Sequence, residues 1–166
     1  MRYADGPETE VELAINASAE RVWAILSDPS FPTEFSDELQ EASWGEHVGD
    51  GPGVGSTILG RNHNEHMGEW TTTSYVTEWE PGRRLAWAVG DVEDSAGRWR
   101  FELEPAGEQT VVRQHYFIGP GRSGLSMAID KFPDREADII ENRLNFQAGC
   151  MRANLEGIKA RAEVAS

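Results

Sequence analysis

From Ser56 to Ile118 the sequence passes from one strand-like segment to the next with only turn signals between them, and this succession limits the fold more than any other feature. Ser56 to Asn64 and Met67 to Glu80 read as strands meeting at a tight connection. Pro81-Gly82 then turns the chain, and Leu85, Trp87 and Val89 alternate after it. A second turn region, Asp91 to Ala96, precedes Trp99, Phe101 and Leu103 at period two. Pro105-Ala106-Gly107-Glu108 leads into Thr110 to Ile118. Parallel neighbours need a long crossover, usually helical, and none of these connections has room for one. The sheet is therefore expected to be antiparallel and largely meandering.

The flanks complete an α+β pattern. Glu10 to Ile15 alternates polar with apolar residues, as a strand with one buried face does. Ser18 is placed to cap a helix from Ala19 to Leu26, with Glu20 in its first turn, and Asp28-Pro29 ends it. Phe31 to Phe35 forms a further helical turn before a strand near Leu39 to Trp44. After Gly119-Pro120-Gly121 comes a short helix, Ser123 to Lys131. Pro133 then opens a long one, with Asp134 and Glu136 in its first turn and Lys159 and Arg161 near its end at Arg161. That helix is about 28 residues, or about 40 Å at 1.5 Å per residue. Ala137, Ile140, Leu144, Ala148, Met151, Leu155 and Ile158 recur along it at steps of three and four, making one buried stripe. Ile139, Phe146 and Cys150 fall on roughly the opposite side. They are expected either to pack under Ser123–Lys131 or to meet a second subunit in a homodimer.

Composition excludes several function classes. The 166 residues suit a single domain, 1–166 with a core of about 10–162, and can bury roughly two-thirds of the unfolded surface without a disulfide or metal. The lone cysteine, Cys150, rules out an internal disulfide and is expected to pack rather than react. The net charge is −14, from 29 acidic against 15 basic residues. It opposes nucleic-acid phosphates and anionic membrane surfaces alike. The densest basic group is only Arg83, Arg84, Arg98 and Arg100. No apolar run resembles a signal peptide or a membrane span, so no stable membrane insertion and a cytoplasmic location are expected. Asp50-Gly51-Pro52-Gly53-Val54-Gly55 is a turn-rich loop without the spacing of a phosphate-binding motif.

With strands and helices placed, three segments resemble the START-like, or Bet v 1-like (SRPBCC), superfamily and within it the polyketide cyclase/dehydrase-like group. They are Val11 to Trp23, Glu78-Trp79-Glu80-Pro81-Gly82-Arg83-Arg84-Leu85-Ala86-Trp87, and Trp99 to Pro105 with Thr110-Val111-Val112. The resemblance covers about residues 10 to 160. It implies a helix-grip fold, in which a seven-stranded curved antiparallel sheet closes around a long C-terminal helix. It also implies an apolar ligand, lipid- or polyketide-like, held between helix and sheet. No universal catalytic motif comes with it, and no cofactor is expected.

Strand parity proposes the concave face. Trp99, Phe101 and Leu103 share one side of their strand, Val112, Gln114 and Tyr116 one side of the next, and Leu85, Trp87 and Val89 one side of theirs. Ile58, Gly60 and Asn62 form a fourth set, with Gly60 leaving room for ligand or backbone. Leu144, Gln147, Ala148 and Met151 are the helix residues expected opposite them. Gln114, Tyr116 and Asn62 would orient a ligand by hydrogen bonds.

Candidates for chemistry are fewer. His63-Asn64-Glu65-His66 contains zinc-ligand types, but residues three apart on a strand face opposite sides, so no metal site is expected. Tyr116, His115, His63 and Glu102 are the candidate acid–base groups. Parity turns His115 and Glu102 away from the cavity if Tyr116 points in, and turns His63 away if Asn62 does. No nucleophile elbow or Cys-His pair is present. The expected function is therefore binding or transport of an apolar small molecule. Two alternatives stand beside it: a polyketide cyclase/dehydrase using acid–base catalysis, and a protein-binding stress-associated module.

Overall fold

In the computed structural model, which describes residues 1–164, β1 (Glu8–Ile15) leads into α1 (Ala19–Leu26) and a 3-10 turn, Phe31–Glu34. Then follow β2 (Leu39–Trp44), β3 (Thr57–Asn64), β4 (Gly68–Glu80), β5 (Arg84–Val89), β6 (Gly97–Ala106) and β7 (Gln109–Ile118). The chain closes with α2 (Gly124–Lys131), a 3-10 turn at Pro133–Arg135, and α3 (Glu136–Ala162). Positions 165 and 166 of the expected single domain lie outside the described residues.

All seven strands join one sheet in the order β1-β7-β6-β5-β4-β3-β2, and every pairing is antiparallel. The meander from β2 to β7 is what the turn signals predict. The added step is that β1 pairs with β7, in the register Val11↔Gln114 and Leu13↔Val112. This brings the beginning of the chain beside the last strand and under α3, which packs against β1. The result is the helix-grip arrangement of the α+β class.

Local chemistry sets the helix boundaries. Ser18 accepts the backbone N–H of Arg21 at 3.2 Å and starts α1. At α2 the Ser123 hydroxyl accepts the Leu125 N–H at 3.2 Å, while the Ser126 hydroxyl accepts the Ser123 N–H at 3.1 Å. α3 has no side-chain cap, but Glu136 and Asp138 near its start and Lys159 and Arg161 near its end oppose the helix dipole. Among the described residues no helix is long and apolar enough to cross a membrane.

Val11, Ile15, Val22, Phe101, Leu103, Val112, Leu144, Ala148, Leu155 and Ile158 belong to one buried apolar cluster between α3 and the sheet. Phe35 lies on α3 at Gly157, where any Cβ would run into its ring. The buried stripe of α3 begins at Ile140 rather than Ala137, which is exposed because the helix has not yet reached the sheet.

Candidate functional site

Beside this cluster, helix and sheet enclose a cavity of about 560 Å³, a size typical of small-molecule sites. Its floor is an aromatic ladder built by strand register. Trp87 on β5 opposes Trp99 on β6, and Trp99 opposes Tyr116 on β7. Trp87 and Trp99 stack with centroids 6.4 Å apart and planes 19° from parallel, and Trp99 meets Tyr116 at 4.5 Å. Each such pair contributes about 0.5–1.5 kcal/mol beyond its area. Trp44, Ile58, Trp70 and Leu85 extend this apolar surface.

The helix wall comes from Arg143, Gln147, Cys150, Met151 and Asn154. Steps of three and four keep these side chains on one face of α3, beside the stripe that packs into the core. The mouth lies between the connection after α1, the β3–β4 hairpin and the start of α2, where exposed Asp28, His66 and Met67 border the cavity. Gly124 lets hairpin and helix meet: a Cβ there would stand 2.5 Å from the Met67 sulfur.

Two polar groups interrupt the apolar lining. The first joins β2, β3, β7 and α3. Glu38 is 8 % exposed, and its carboxylate accepts from Arg143 Nη1 and Nη2 at 2.9 Å each. Asn64 Nδ2 donates to the same carboxylate at 3.2 Å, while Asn64 Oδ1 accepts the N–H groups of His66 and Met67 at 3.0 and 2.7 Å. Asn64 thus ties the hairpin at the mouth to the ion pair. The His63 N–H donates to the Glu38 carbonyl at 2.9 Å and fixes the backbone from which the carboxylate projects. Burial works to raise the Glu38 carboxyl pKa, but the hydrogen bonds and charge of Arg143, with Asn64, outweigh it and hold the group below the ordinary carboxylate range. For Arg143 burial works downward and Glu38 overrides it, so the guanidinium stays charged. Burial pushes the Tyr116 phenol up against the opposing pull of Arg143.

The second polar group is a set of amides. Gln114, Gln147 and Asn154 are all buried and line the cavity. Asn154 Nδ2 donates to Gln114 Oε1 at 3.3 Å.

Of the residues expected on the concave face, Ile58, Gly60, Asn62, Trp87, Trp99, Gln114, Tyr116, Gln147 and Met151 line the cavity. Phe101, Leu103, Val112, Leu144 and Ala148 do not; they are buried in the apolar cluster where α3 packs on the sheet. Parity assigns the face correctly and says nothing about depth along the strand. Asn62 Nδ2 reaches Thr72 Oγ1 at 3.5 Å across β3 and β4. Of the acid–base candidates only Tyr116 enters the cavity. His115 lies on the convex side with Nε2 3.1 Å from Glu10, Glu102 pairs with Arg100 at 3.0 Å, and His63 is exposed opposite Asn62. Cys150, expected to pack, faces the cavity instead, and burial pushes its thiol pKa up. Phe146 lies under the Arg143 guanidinium, 5.5 Å from it.

Sequence reasoning overlooked Glu38, Arg143 and Asn154. The last two were visible as a polar row, Arg143-Gln147-Asn154, running at helical spacing beside the apolar stripe. Trp70, Thr72 and Ser74 were likewise visible as alternating residues of β4. Glu38 carried no signal, because its partner is 105 residues away.

The family model described as polyketide cyclase / dehydrase and lipid transport matches residues 7–163. A solved polyketide-cyclase-like protein from Corynebacterium glutamicum is 28 % identical, with 93 % of this chain and 90 % of that one covered at a TM-score of 0.66. An aromatase/cyclase from Streptomyces is 18 % identical over 95 % of this chain and 94 % of that one, with a TM-score of 0.65. The di-domain ARO/CYC of the steffimycin biosynthetic pathway superposes at a TM-score of 0.72 with 15 % identity, covering 94 % of this chain and 50 % of that protein. At these last two identities the likeness is one of fold. No curated protein matches the sequence.

Proposed function

The chain belongs to the polyketide cyclase / dehydrase and lipid transport family, and from that premise we propose that it binds and carries an apolar small molecule in the cavity between α3 and the sheet. The observation that carries this proposal is the cavity itself: about 560 Å³ floored by the Trp87–Trp99–Tyr116 ladder. Apolar burial at about 25 cal/mol per Å² supplies the affinity, and the few polar groups select orientation.

The titratable groups favour carriage over acid–base turnover. Those on the described lining are Asp28, Glu38, His66, Tyr116, Arg143 and Cys150. Asp28 and His66 are at the exposed mouth. Glu38, locked to Arg143 and held low, is a poor proton acceptor. Burial raises the Tyr116 phenol, so it keeps its proton. A cyclase/dehydrase activity would rest on Tyr116 as the proton donor. It is tested by whether Tyr116→Phe abolishes conversion of a poly-β-keto thioester while leaving pyrene binding intact. A protein-docking role would be favoured by a filled core, and this core is open.

The test is a titration with pyrene, followed by energy transfer from the cavity tryptophans. Ser74, buried on β4, lines the cavity, so Ser74→Phe places a ring in the ligand space. Saturable transfer at one pyrene per chain, weakened at least about tenfold by Ser74→Phe, is the expected result. Equal binding by a folded Ser74→Phe variant would place the ligand elsewhere and end the proposal.

A further inference from the structure

The wall that α3 gives the cavity carries Arg143, Gln147 and Asn154, spaced at about one and two helical turns. The outer two are already committed. Arg143 donates to both oxygens of Glu38 at 2.9 Å, and Asn154 Nδ2 donates to Gln114 Oε1 at 3.3 Å. Gln147, between them, is 6 % exposed and makes no side-chain hydrogen bond among the described residues. The side-chain atoms there that are both sealed and unpartnered belong to Glu78, Arg100, His115 and Asn154. Gln147 is not among them, so its Oε1 and Nε2 keep accessible surface. On a buried residue of the lining, that surface opens into the cavity.

A glutamine amide sets a donor beside an acceptor. Because both halves are free, the argument holds whichever way the amide is turned. A ligand group that only accepts would pair with Nε2 and leave Oε1 bare in an apolar enclosure, which is costly. A neutral group with N–H beside C=O answers both halves at once.

The residue one turn away sets the ligand's charge. Arg143 is the sole lysine or arginine on the described lining, and Glu38 already takes two of its N–H groups. An anionic ligand would have to break that bidentate pair or remain uncompensated among tryptophans, and both are unfavourable.

We propose that the cavity takes a neutral ring ligand whose polar head sets a donor beside an acceptor, as a carboxamide or lactam does, and that Gln147 reads this head with both halves of its amide. The apolar body fills the space over the Trp87–Trp99 floor. Gln147 is then the residue that sets specificity. This rests on the small-molecule binding proposed above and names the class of molecule bound. A site built to hydrogen-bond a ligand rejects analogues lacking the matching group, because its own polar atoms are left unpaired.

Four pyrenes test it by the same energy-transfer titration: pyrene, pyrenecarboxamide, methyl pyrenecarboxylate and pyrenecarboxylate. They are compared at about pH 7, where a carboxyl group is ionised. The carboxamide is expected to bind about tenfold more tightly than pyrene or the ester, with the carboxylate the weakest. In Gln147→Met, which keeps the side chain's length without its donor and acceptor, carboxamide and ester should bind within about twofold of each other. The readout is the ratio of two ligands on one protein, so a general change in affinity cancels. Gln147 bonds to no other described residue, so the substitution removes no hydrogen bond of the fold; Gln147→Leu gives the same ratio should Gln147→Met not fold. Binding without a carboxamide advantage, or with the ester or carboxylate tightest, overturns the assignment of the head and leaves the carrier function standing. A carboxamide advantage that survives in the variant overturns the role of Gln147. If none of the four binds, the carrier function falls as well.

Discussion

Glu38 grips Arg143 with both carboxylate oxygens, each 2.9 Å from a different guanidinium nitrogen, and so ties the start of β2 to the middle of α3 across the open end of the fold. This pair stands where a filled core would otherwise hold helix to sheet. Its worth is mostly the cost of breaking it on one side only. Glu38→Ala leaves a largely buried guanidinium without its counter-charge and should lower stability by about 2–4 kcal/mol. The double variant Glu38→Leu with Arg143→Met should lose about 1 kcal/mol or less, since an apolar pair of similar volume needs no desolvation. Urea unfolding of the wild type, Glu38→Leu, Arg143→Met and their double variant closes the cycle, and single losses that simply add in the double would contradict it.

Acid should weaken the fold through the same residue. The Glu38 carboxyl is held below its unfolded value, so the unfolded chain takes up the proton first as pH falls below about 4.3. Stability is then full above that value and is lost progressively through the lower folded pKa. Glu41 and Glu163, held low by Arg61 and by Lys159, share the direction but lie at the surface, where salt screens them. Denaturant midpoints measured against pH at high salt should isolate the Glu38 share, and Glu38→Gln should flatten it.

Alkali acts on Tyr116 with the opposite sense. Burial raises its phenol against the pull of Arg143, so above about pH 10 the unfolded chain releases a proton that the folded chain retains. Stability therefore falls as pH rises beyond that point. Titration by ultraviolet absorbance should reveal a phenol ionising above the ordinary range, and Tyr116→Phe should remove it.

Two glycines of α3 should respond to alanine with opposite signs. Gly149 is exposed with open space around it, so Gly149→Ala gains helix propensity and should add about 0.5–1 kcal/mol. At Gly157 the same gain is outweighed, because the new methyl group meets the Phe35 ring. Gly157→Ala should cost about 1–3 kcal/mol. Thermal melts of the two variants decide it.

The sheet and its helices were legible because their signals are local. The alternation of Trp99-Phe101-Leu103, the turn at Pro81-Gly82 and the cap at Ser18 each act over a few residues. The facing of Trp87, Trp99, Gln114 and Tyr116 followed from period two alone. Phe101 and Leu103 obey the same parity yet end in packed core, because how closely α3 approaches a given point of the sheet is a tertiary property. Glu38 and Arg143 were illegible for a related reason. Neither is unusual in its own segment, and only closure of the sheet beneath α3 makes them partners. The hydrogen bond from Asn154 to Gln114 likewise emerges only when α3 lies across β7.

The central claim, that the open end of this fold holds a small molecule, is tested most directly by native mass spectrometry of the protein isolated from the cells that make it. One organic adduct per chain is expected, released when the protein unfolds and missing from a folded Ser74→Phe variant. A bare mass in the native protein, or an adduct that Ser74→Phe retains equally, would contradict it.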